Sequence, residues 1–265
     1  MKIIRILCFI LTAALLASFT AYAAESYVTM NGFMFNKNDD GKAVIHEYTG
    51  NAEDVVIPQT LLNAEVTAID DSAFFGRTQI KSVSFEQATA LKSIGSCAFY
   101  GCTALTELNI PAVALSFGSF QNCTGLRSVV IQNGLETIPS QAFSGCSSLI
   151  SVEIPDSVTS IAANAFNNCP KLTIFCNEGS YAQTYAETKK LQYLLIREFE
   201  LGDVNLDGTI SIRDVTTIQL FIVGKIEDLP VFRGKSYADT TKDGKVNIRD
   251  ATMIQLKLAE YIQHF

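Results

Sequence analysis

Tryptophan is absent, and histidine occurs only at His46 and His264. The first absence argues against a sugar-stacking module or the aromatic cleft of a typical glycosidase. The second leaves too little imidazole for a Ser-His-Asp hydrolase or a His-ligated metal enzyme. Positive charge is in deficit: 20 Lys and Arg face 27 Asp and Glu, a net charge of −7. A generic nucleic-acid binder needs the opposite sign, so no nucleic-acid partner is expected. Charged residues make up only 18% of the chain against 48% hydrophobic, which excludes a disordered polymer and predicts globular folding. At 265 residues about two domains are expected.

Long apolar runs are missing too, save one at the start. Residues 1–23 read MKIIRILCFILTAALLASFTAYA, with Lys2 and Arg5 as the sole charges and Ala21-Tyr22-Ala23 in small-x-small form. This predicts a secretory signal peptide cleaved after Ala23 or one residue later, leaving a mature net charge of −9. The apolar stretch from Ile6 to Ala17 is short of the roughly 20 residues that span a bilayer, and Cys8 lies too early for lipid attachment. The mature protein is therefore expected outside the cell, secreted, with no membrane insertion. Anything that holds it at the cell surface must be another molecule.

The middle of the chain repeats. LRSVVIQNGLETIPSQAFSGCSSL from Leu126, LISVEIPDSVTSIAANAFNNCPKL from Leu149 and KSVSFEQATALKSIGSCAFYGCTAL from Lys81 share one word: V-x-I, then V/L-x-x-I, then A-F-x-x-C-x-x-L. Phe74, Phe99, Phe120, Phe143 and Phe166 recur at spacings of 25, 21, 23 and 23. Ile80, Leu105, Leu126, Leu149 and Leu172 keep the same spacings, and Cys102, Cys123, Cys146 and Cys169 keep step, with Arg77 in the first cysteine position. A period near 23 with short alternating runs is a solenoid signature. In one unit Leu126, Val129 and Ile131 point inward while Ser128 and Val130 point outward, the alternation of a short parallel strand. Ile138, Ala142, Phe143 and Cys146 fill the interior as the chain returns. One unit cannot bury its apolar side; a stack of five or six can.

Six cysteines remain after cleavage in an exported chain, which invites a disulfide framework. Four of them, however, share one repeat position beside a core phenylalanine, where a reduced thiol serves as a small buried hydrophobe. Cys97 and Cys176 fall outside that ladder. The outward strand residues Ser82, Ser84, Glu107, Asn109, Ser128, Val130, Ser151 and Glu153 form either a solvated sheet face or a concave surface for a ligand.

These repeats resemble the leucine-rich repeats of the BspA-like type, whose word is roughly IPxSVTxIGxxAFxxCxxLxxV. The resemblance covers about residues 43–196 and implies a mainly β solenoid of α/β type that presents a protein- or glycan-binding surface. The upstream segment SYVTMNGFMFNKNDDGKAVIHEYTGNAEDVVIP is similar to that family's opening hairpin and first strand. The downstream segment LTIFCNEGSYAQTYAETKKLQYLLI is similar to its closing unit, with a short helix around 181–190.

The strongest chemistry begins at Asp203. DVNLDGTISIRD, residues 203–214, and DTTKDGKVNIRD, residues 239–250, both match D-x-[N/T]-x-D-G-x-[I/V]-[S/N]-x-x-D. Calcium is a hard cation that takes several oxygen ligands, and loop positions 1, 3, 5, 7, 9 and 12 can wrap it, with glycine at position 6 for the sharp turn. Asp203, Asn205, Asp207, Asp214 and the Thr209 carbonyl are expected to hold one Ca2+, with Ser211 acting through water. Asp239, Asp243, Asp250, Asn247 and the Lys245 carbonyl are expected to hold a second, where Thr241 is a poorer ligand than the usual Asn or Asp. Each loop runs into a helix but follows none, since Glu198–Gly202 is too short and Pro230 and Gly234 interrupt the run before Asp239. Position 12 is Asp, where an EF-hand has Glu.

Val215, Ile218 and Ile222 make one inward stripe, repeated by Ala251, Ile254 and Leu258. A second stripe runs Ile212, Thr216, Leu220 and again Ile248, Thr252, Leu256. A two-helix unit cannot bury both stripes, so the second is expected to face outward, edged by Arg213, Gln219, Arg249 and Gln255, as a docking surface.

GDVNLDGTISIRDVTTIQLFIVG and ADTTKDGKVNIRDATMIQLKLAE resemble the paired repeats of dockerins over about residues 201–265. The resemblance implies a small all-α calcium-binding domain of two loop-helix units. It also implies a partner: the cohesin module of a scaffoldin in a cellulosome, the extracellular complex that degrades plant cell walls. Family recognition positions fall on Ile212, Arg213, Gln219 and Leu220 and on Ile248, Arg249, Gln255 and Leu256. IRDVTTIQL and IRDATMIQL are nearly the same, so either helix could dock. The expected layout is a signal peptide at 1–23, a capped repeat solenoid at 24–197 and a dockerin at 198–265, in a non-catalytic binding protein linked to polysaccharide breakdown. A hydrolase subunit would need paired carboxylates in a cleft, for which Glu107, Glu136 and Glu153 are too scattered. An independent surface adhesin is the other alternative.

Overall fold

A computed structural model of the chain describes residues 27–196, 210–223, 240 and 245–263. The expected signal peptide lies outside the described residues. The chain divides into two compact units, one with residues 1–174 and 179–192, the other with residues 175–178 and 193–265.

The first unit is a mainly β solenoid. It opens on an antiparallel hairpin, β1 (Val28–Met30) and β2 (Phe33–Lys37), followed by β3 (Ala43–Tyr48), which also pairs antiparallel with β2. Parallel stacking begins with β3, which pairs with β6 (Ala64–Ile69), and with β4 (Asp54–Val56), which pairs with β7 (Ser82–Ser84). A small hairpin of β5 (Thr60–Leu61) and β6 (Ala64–Ile69) leads into β7 (Ser82–Ser84), β8 (Ser93–Ile94), β9 (Glu107–Ile110), β10 (Ala114–Leu115), β11 (Ser128–Ile131), β12 (Thr137–Ile138), β13 (Ser151–Glu153), β14 (Ser160–Ile161) and β15 (Thr173–Cys176). The repeat word maps onto this succession. V-x-I makes the rungs of one sheet, ordered β15-β13-β11-β9-β7-β4, while on the return path β3-β6-β8-β10 make a second sheet beyond the hairpin and β12-β14 a separate two-stranded one. In-register pairs such as Val129 with Leu108 and Val152 stack like upon like.

The core is two ladders. Phe74, Phe99, Phe120, Phe143 and Phe166 stack ring on ring, with centroids 4.6, 5.2, 5.6 and 5.3 Å apart. The opening hairpin contributes Tyr48, stacked on Phe74 at 5.2 Å. At the other end Tyr185, from α1 (Tyr181–Lys189), sets its edge on Phe166 at 6.2 Å. Burial pushes the Tyr185 hydroxyl up to about 12. Helix α1 starts at an N-cap Ser180, whose side chain accepts from the Gln183 N–H, and stops at Lys190 in the left-handed conformation.

The second ladder is sulfur. Each cysteine Sγ–H donates to the phenylalanine carbonyl of the preceding turn: Cys102 to Phe74 (3.3 Å), Cys123 to Phe99 (3.1 Å), Cys146 to Phe120 (3.3 Å) and Cys169 to Phe143 (3.2 Å). Three of these carbonyls also accept a turn N–H, Phe74 from Arg77, Phe99 from Cys102 and Phe143 from Cys146, so there the thiol fills a second lone pair of the oxygen. The four ladder residues are buried thiols, as the shared repeat position suggests. Cys97 and Cys176 are buried too. Arg77, in the first cysteine position, turns to Glu47 at 3.2 Å instead.

One further position repeats without a shared residue type. Gly76, Gly101, Asn122, Gly145 and Asn168 all have positive φ, from 59° to 78°. Other residues pay about 1–2 kcal/mol there, and glycine and asparagine least.

Desolvation holds the ladder thiols protonated. Burial pushes Cys102 up to about 12 and Cys169 up to about 11, and raises Cys123 and Cys146 as well. The thiolate is the reactive form. Iodoacetamide at pH 8 is therefore expected to leave these four unmodified in the native protein and to label all four in guanidinium without prior reduction. Unfolded thiols ionise near 9. The contribution of Cys102 to stability is thus complete below that pH and is lost as pH rises towards 12. Intact-mass spectrometry after alkylation checks the count.

Not all outward strand residues are exposed. Ser128 and Ser151 are buried, against the expectation of a wholly open face. Neighbouring rungs lie about 4.8 Å to either side and enclose a side chain as small as serine.

The described part of the second unit contains α2 (Ile212–Ile222) and α3 (Ile248–Gln263). Val215, Ile218, Ala251 and Ile254 form its core, with Ile210, Val246 and Leu258 packed against it. Ile222, expected in the inward stripe, is 39% exposed. Leu258, at the equivalent position of α3, stays packed on the core, so the two helices differ at this point of the stripe. Among the described residues no helix is long and apolar enough to cross a membrane.

Candidate functional site

Both helices of the second unit begin in the same way. Asp214 and Asp250 occupy the third helical position, and each carboxylate is completely withdrawn from solvent. Asp214 Oδ2 accepts from the Ser211 N–H (2.9 Å) and the Ser211 hydroxyl (3.2 Å). Asp250 Oδ2 accepts from the Asn247 N–H (2.8 Å). In return, Ser211 Oγ accepts the Arg213 N–H (3.2 Å) and Asn247 Oδ1 the Arg249 N–H (2.9 Å). This reciprocal capping follows from the S-x-x-D and N-x-x-D spacing. Thr240 Oγ1 donates to the Asp250 carbonyl (3.1 Å) and lies 3.4 Å from its Oδ1.

Taking a carboxylate out of water costs several kcal/mol unless a cation or a full set of donors compensates it. Two such carboxylates, each closing an oxygen-rich loop, fit a hard divalent cation. Lys245 is described, and its carbonyl accepts from Asn247 Nδ2 at 3.4 Å. The expected ligands Asp203, Asn205, Asp207, Thr209, Asp239, Thr241 and Asp243 lie outside the described residues. Ser211 and Asn247, expected at the position that reaches the ion, serve as N-caps.

The second apolar stripe faces outward. Ile212 is 62% exposed, Ile248 59%, Leu256 54% and Leu220 41%. Thr216, Thr252, Arg213, Arg249, Gln219 and Gln255 are exposed around them. Isoleucine and leucine at such exposure on both helices make an apolar patch with polar edges, the anatomy of a protein interface. Met253 is exposed as well and escaped sequence reasoning because it lies off both stripes.

A parallel solenoid with stacked phenylalanine and inward leucine at every turn is a leucine-rich repeat architecture. Residues 45–176 match the BspA type leucine rich repeat region in six copies, and residues 201–259 match the dockerin type I domain. The chain thus carries a BspA-type leucine-rich repeat region followed by a type I dockerin. Dockerins of this type generally bind calcium, and both matched families are non-catalytic module types. No curated protein matches the chain. Among solved structures, the leucine-rich repeat protein of T. pallidum is 26% identical, over 57% of this chain and 71% of that one, with a TM-score of 0.47. A leucine-rich repeat protein from Eubacterium ventriosum is 26% identical over 57% and 39%, with a TM-score of 0.49. A complex of the third cohesin ScaC with the ScaB dockerin from Acetivibrio cellulolyticus, displaying a type I interaction, matches at 31% identity over 22% of this chain and 80% of that one, with a TM-score of 0.21.

Proposed function

We propose that this chain is an exported, non-catalytic binding protein that docks through its C-terminal unit to a cohesin module of a scaffoldin, and that its repeats carry the ligand. In this reading the C-terminal unit is an all-α dockerin of two loop-helix units holding two Ca2+. The observation that supports it most is the pairing, on both helices, of a fully buried Asp at the loop end with an exposed apolar stripe. The ions would be held by Asp203, Asn205, Asp207, Asp214 and the Thr209 carbonyl, and by Asp239, Asp243, Asp250 and the Lys245 carbonyl. Calcium supplies a fixed positive centre around which those oxygens converge. The helices then present Ile212, Leu220, Ile248 and Leu256. Such a tether would place the repeats in an extracellular assembly that degrades plant polysaccharide.

Cohesin pull-down from the culture supernatant of the producing organism, with and without calcium, tests the reading. Two related stripes allow two alternative docking orientations. Ile212→Asp with Leu220→Asp is then expected to leave cohesin affinity within about threefold, while adding Ile248→Asp and Leu256→Asp abolishes it, since buried apolar anchors dominate interface energetics. Collapse on the first pair alone would show that one helix does all the docking. Titration calorimetry reads both.

A further inference from the structure

At the C-terminal ends of β7, β9 and β11 the repeat sheet carries an open trough of about 440 Å3. We infer that this trough binds a neutral oligosaccharide through the paired amides of Asn109 and Gln132. The inference rests on the reading of the repeats as the ligand-bearing part and names the ligand class.

Asn109 lies on β9, and Gln132 follows the last residue of the next rung, β11. Gln132 Nε2 donates to Asn109 Oδ1 at 2.5 Å. That bond spends one donor and one acceptor. It leaves Asn109 Nδ2 as a donor and Gln132 Oε1 as an acceptor on adjacent rungs. A sugar hydroxyl both donates and accepts, so two neighbouring hydroxyls need an alternating set of this kind. Because the pair is already ordered by its own hydrogen bond, less entropy is lost when a ligand arrives. Ser84, Glu86 and Pro111 line the same trough, and Pro111 offers apolar surface to a ring's C–H face.

Charge selects among ligands. Glu86 is the single ionisable side chain in the trough's lining among the described residues. No cation faces a phosphate, sulfate or uronate, and one carboxylate is too few to specify a basic peptide. An extended peptide adds to a sheet edge through main-chain hydrogen bonds, whereas β7, β9 and β11 are interior rungs whose ladders are already paired on both sides. The volume lies in the range of small-ligand sites. No tryptophan supplies a stacking platform, so hydrogen bonds from the amide pair carry the selectivity, and dissociation constants about millimolar are expected.

The test uses the full chain in calcium, with cellotetraose, xylotetraose and mannotetraose as probes. Trigalacturonic acid and a lysine-rich peptide are the charged comparisons, and all are followed by NMR titration. At least one neutral tetrasaccharide is expected to bind, with little salt dependence, and Asn109→Ala with Gln132→Ala to weaken it at least tenfold. Both side chains are exposed, so unchanged thermal unfolding of this variant confirms that it folds. The inference is overturned if no neutral probe binds, if binding survives the double substitution, or if trigalacturonic acid or the peptide binds there instead. Cohesin binding by the same sample separates this failure from failure of the docking reading.

Discussion

Removing calcium is expected to unfold the C-terminal unit and abolish cohesin binding while the repeats stay folded. The matched dockerin region is short, residues 201–259, and domains of about 60 residues are marginal without a staple. Its described core consists of four buried aliphatic side chains. At free calcium one hundred to one thousand times the dissociation constant, each ion stabilises the folded state by about 2.7–4.1 kcal/mol. Two ions together therefore supply about 5–8 kcal/mol, comparable to the whole stability of a small domain. Without them the buried carboxylates of Asp214 and Asp250 lose the cations that offset their desolvation. With EDTA, circular dichroism at 222 nm should lose the helical signal, the cohesin complex should dissociate, and the main thermal transition of the repeats should persist. An unchanged spectrum with unchanged binding would refute the proposed coupling.

Truncating the middle of the phenylalanine ladder should have the largest effect on the solenoid. Phe120 is fully buried and stacked on both faces, 5.2 Å from Phe99 and 5.6 Å from Phe143. Phe120→Ala is expected to cost about 3–5 kcal/mol. Urea midpoints should then fall by more than about 1 M. In a nearest-neighbour stack, a weak central rung uncouples the two halves, so one transition should become two. Phe117→Ala is the internal control. That ring is 44% exposed, and its loss should shift the midpoint little. Equal effects of the two substitutions would show that the ladder does not carry the stability.

Much of this was legible because it is written at short range and copied. The period, the inward leucines and phenylalanines and the reduced state of the cysteine ladder follow from one word repeated in register. Tyr48 and Tyr185, which close the phenylalanine ladder, were not legible as such, because end caps depart from the repeat by nature. Their signal was an aromatic residue in each flanking segment. The shared role of Gly76, Gly101, Asn122, Gly145 and Asn168 was obscured by a change of residue type, although glycine alternating with asparagine is itself a sign of positive φ. In the candidate docking unit, helical periodicity separated the two stripes. It could not separate Ile222, which is exposed, from Leu258, its equivalent, which packs on the core.

The amino-acid sequence by itself determined the repeat register, the two calcium-type loops and the duplicated apolar helix faces, since each depends on spacings within about a dozen residues or on the period that copies them. Only the tertiary structure decided what each turn does to the next. The cysteine thiols reach carbonyls 24 to 28 residues away, two serines of the strand face are enclosed by adjoining rungs, and Gln132 meets Asn109 across a strand boundary. Stacking, not local preference, sets those partners, because the chain must close a full turn before the interacting groups lie within bonding distance.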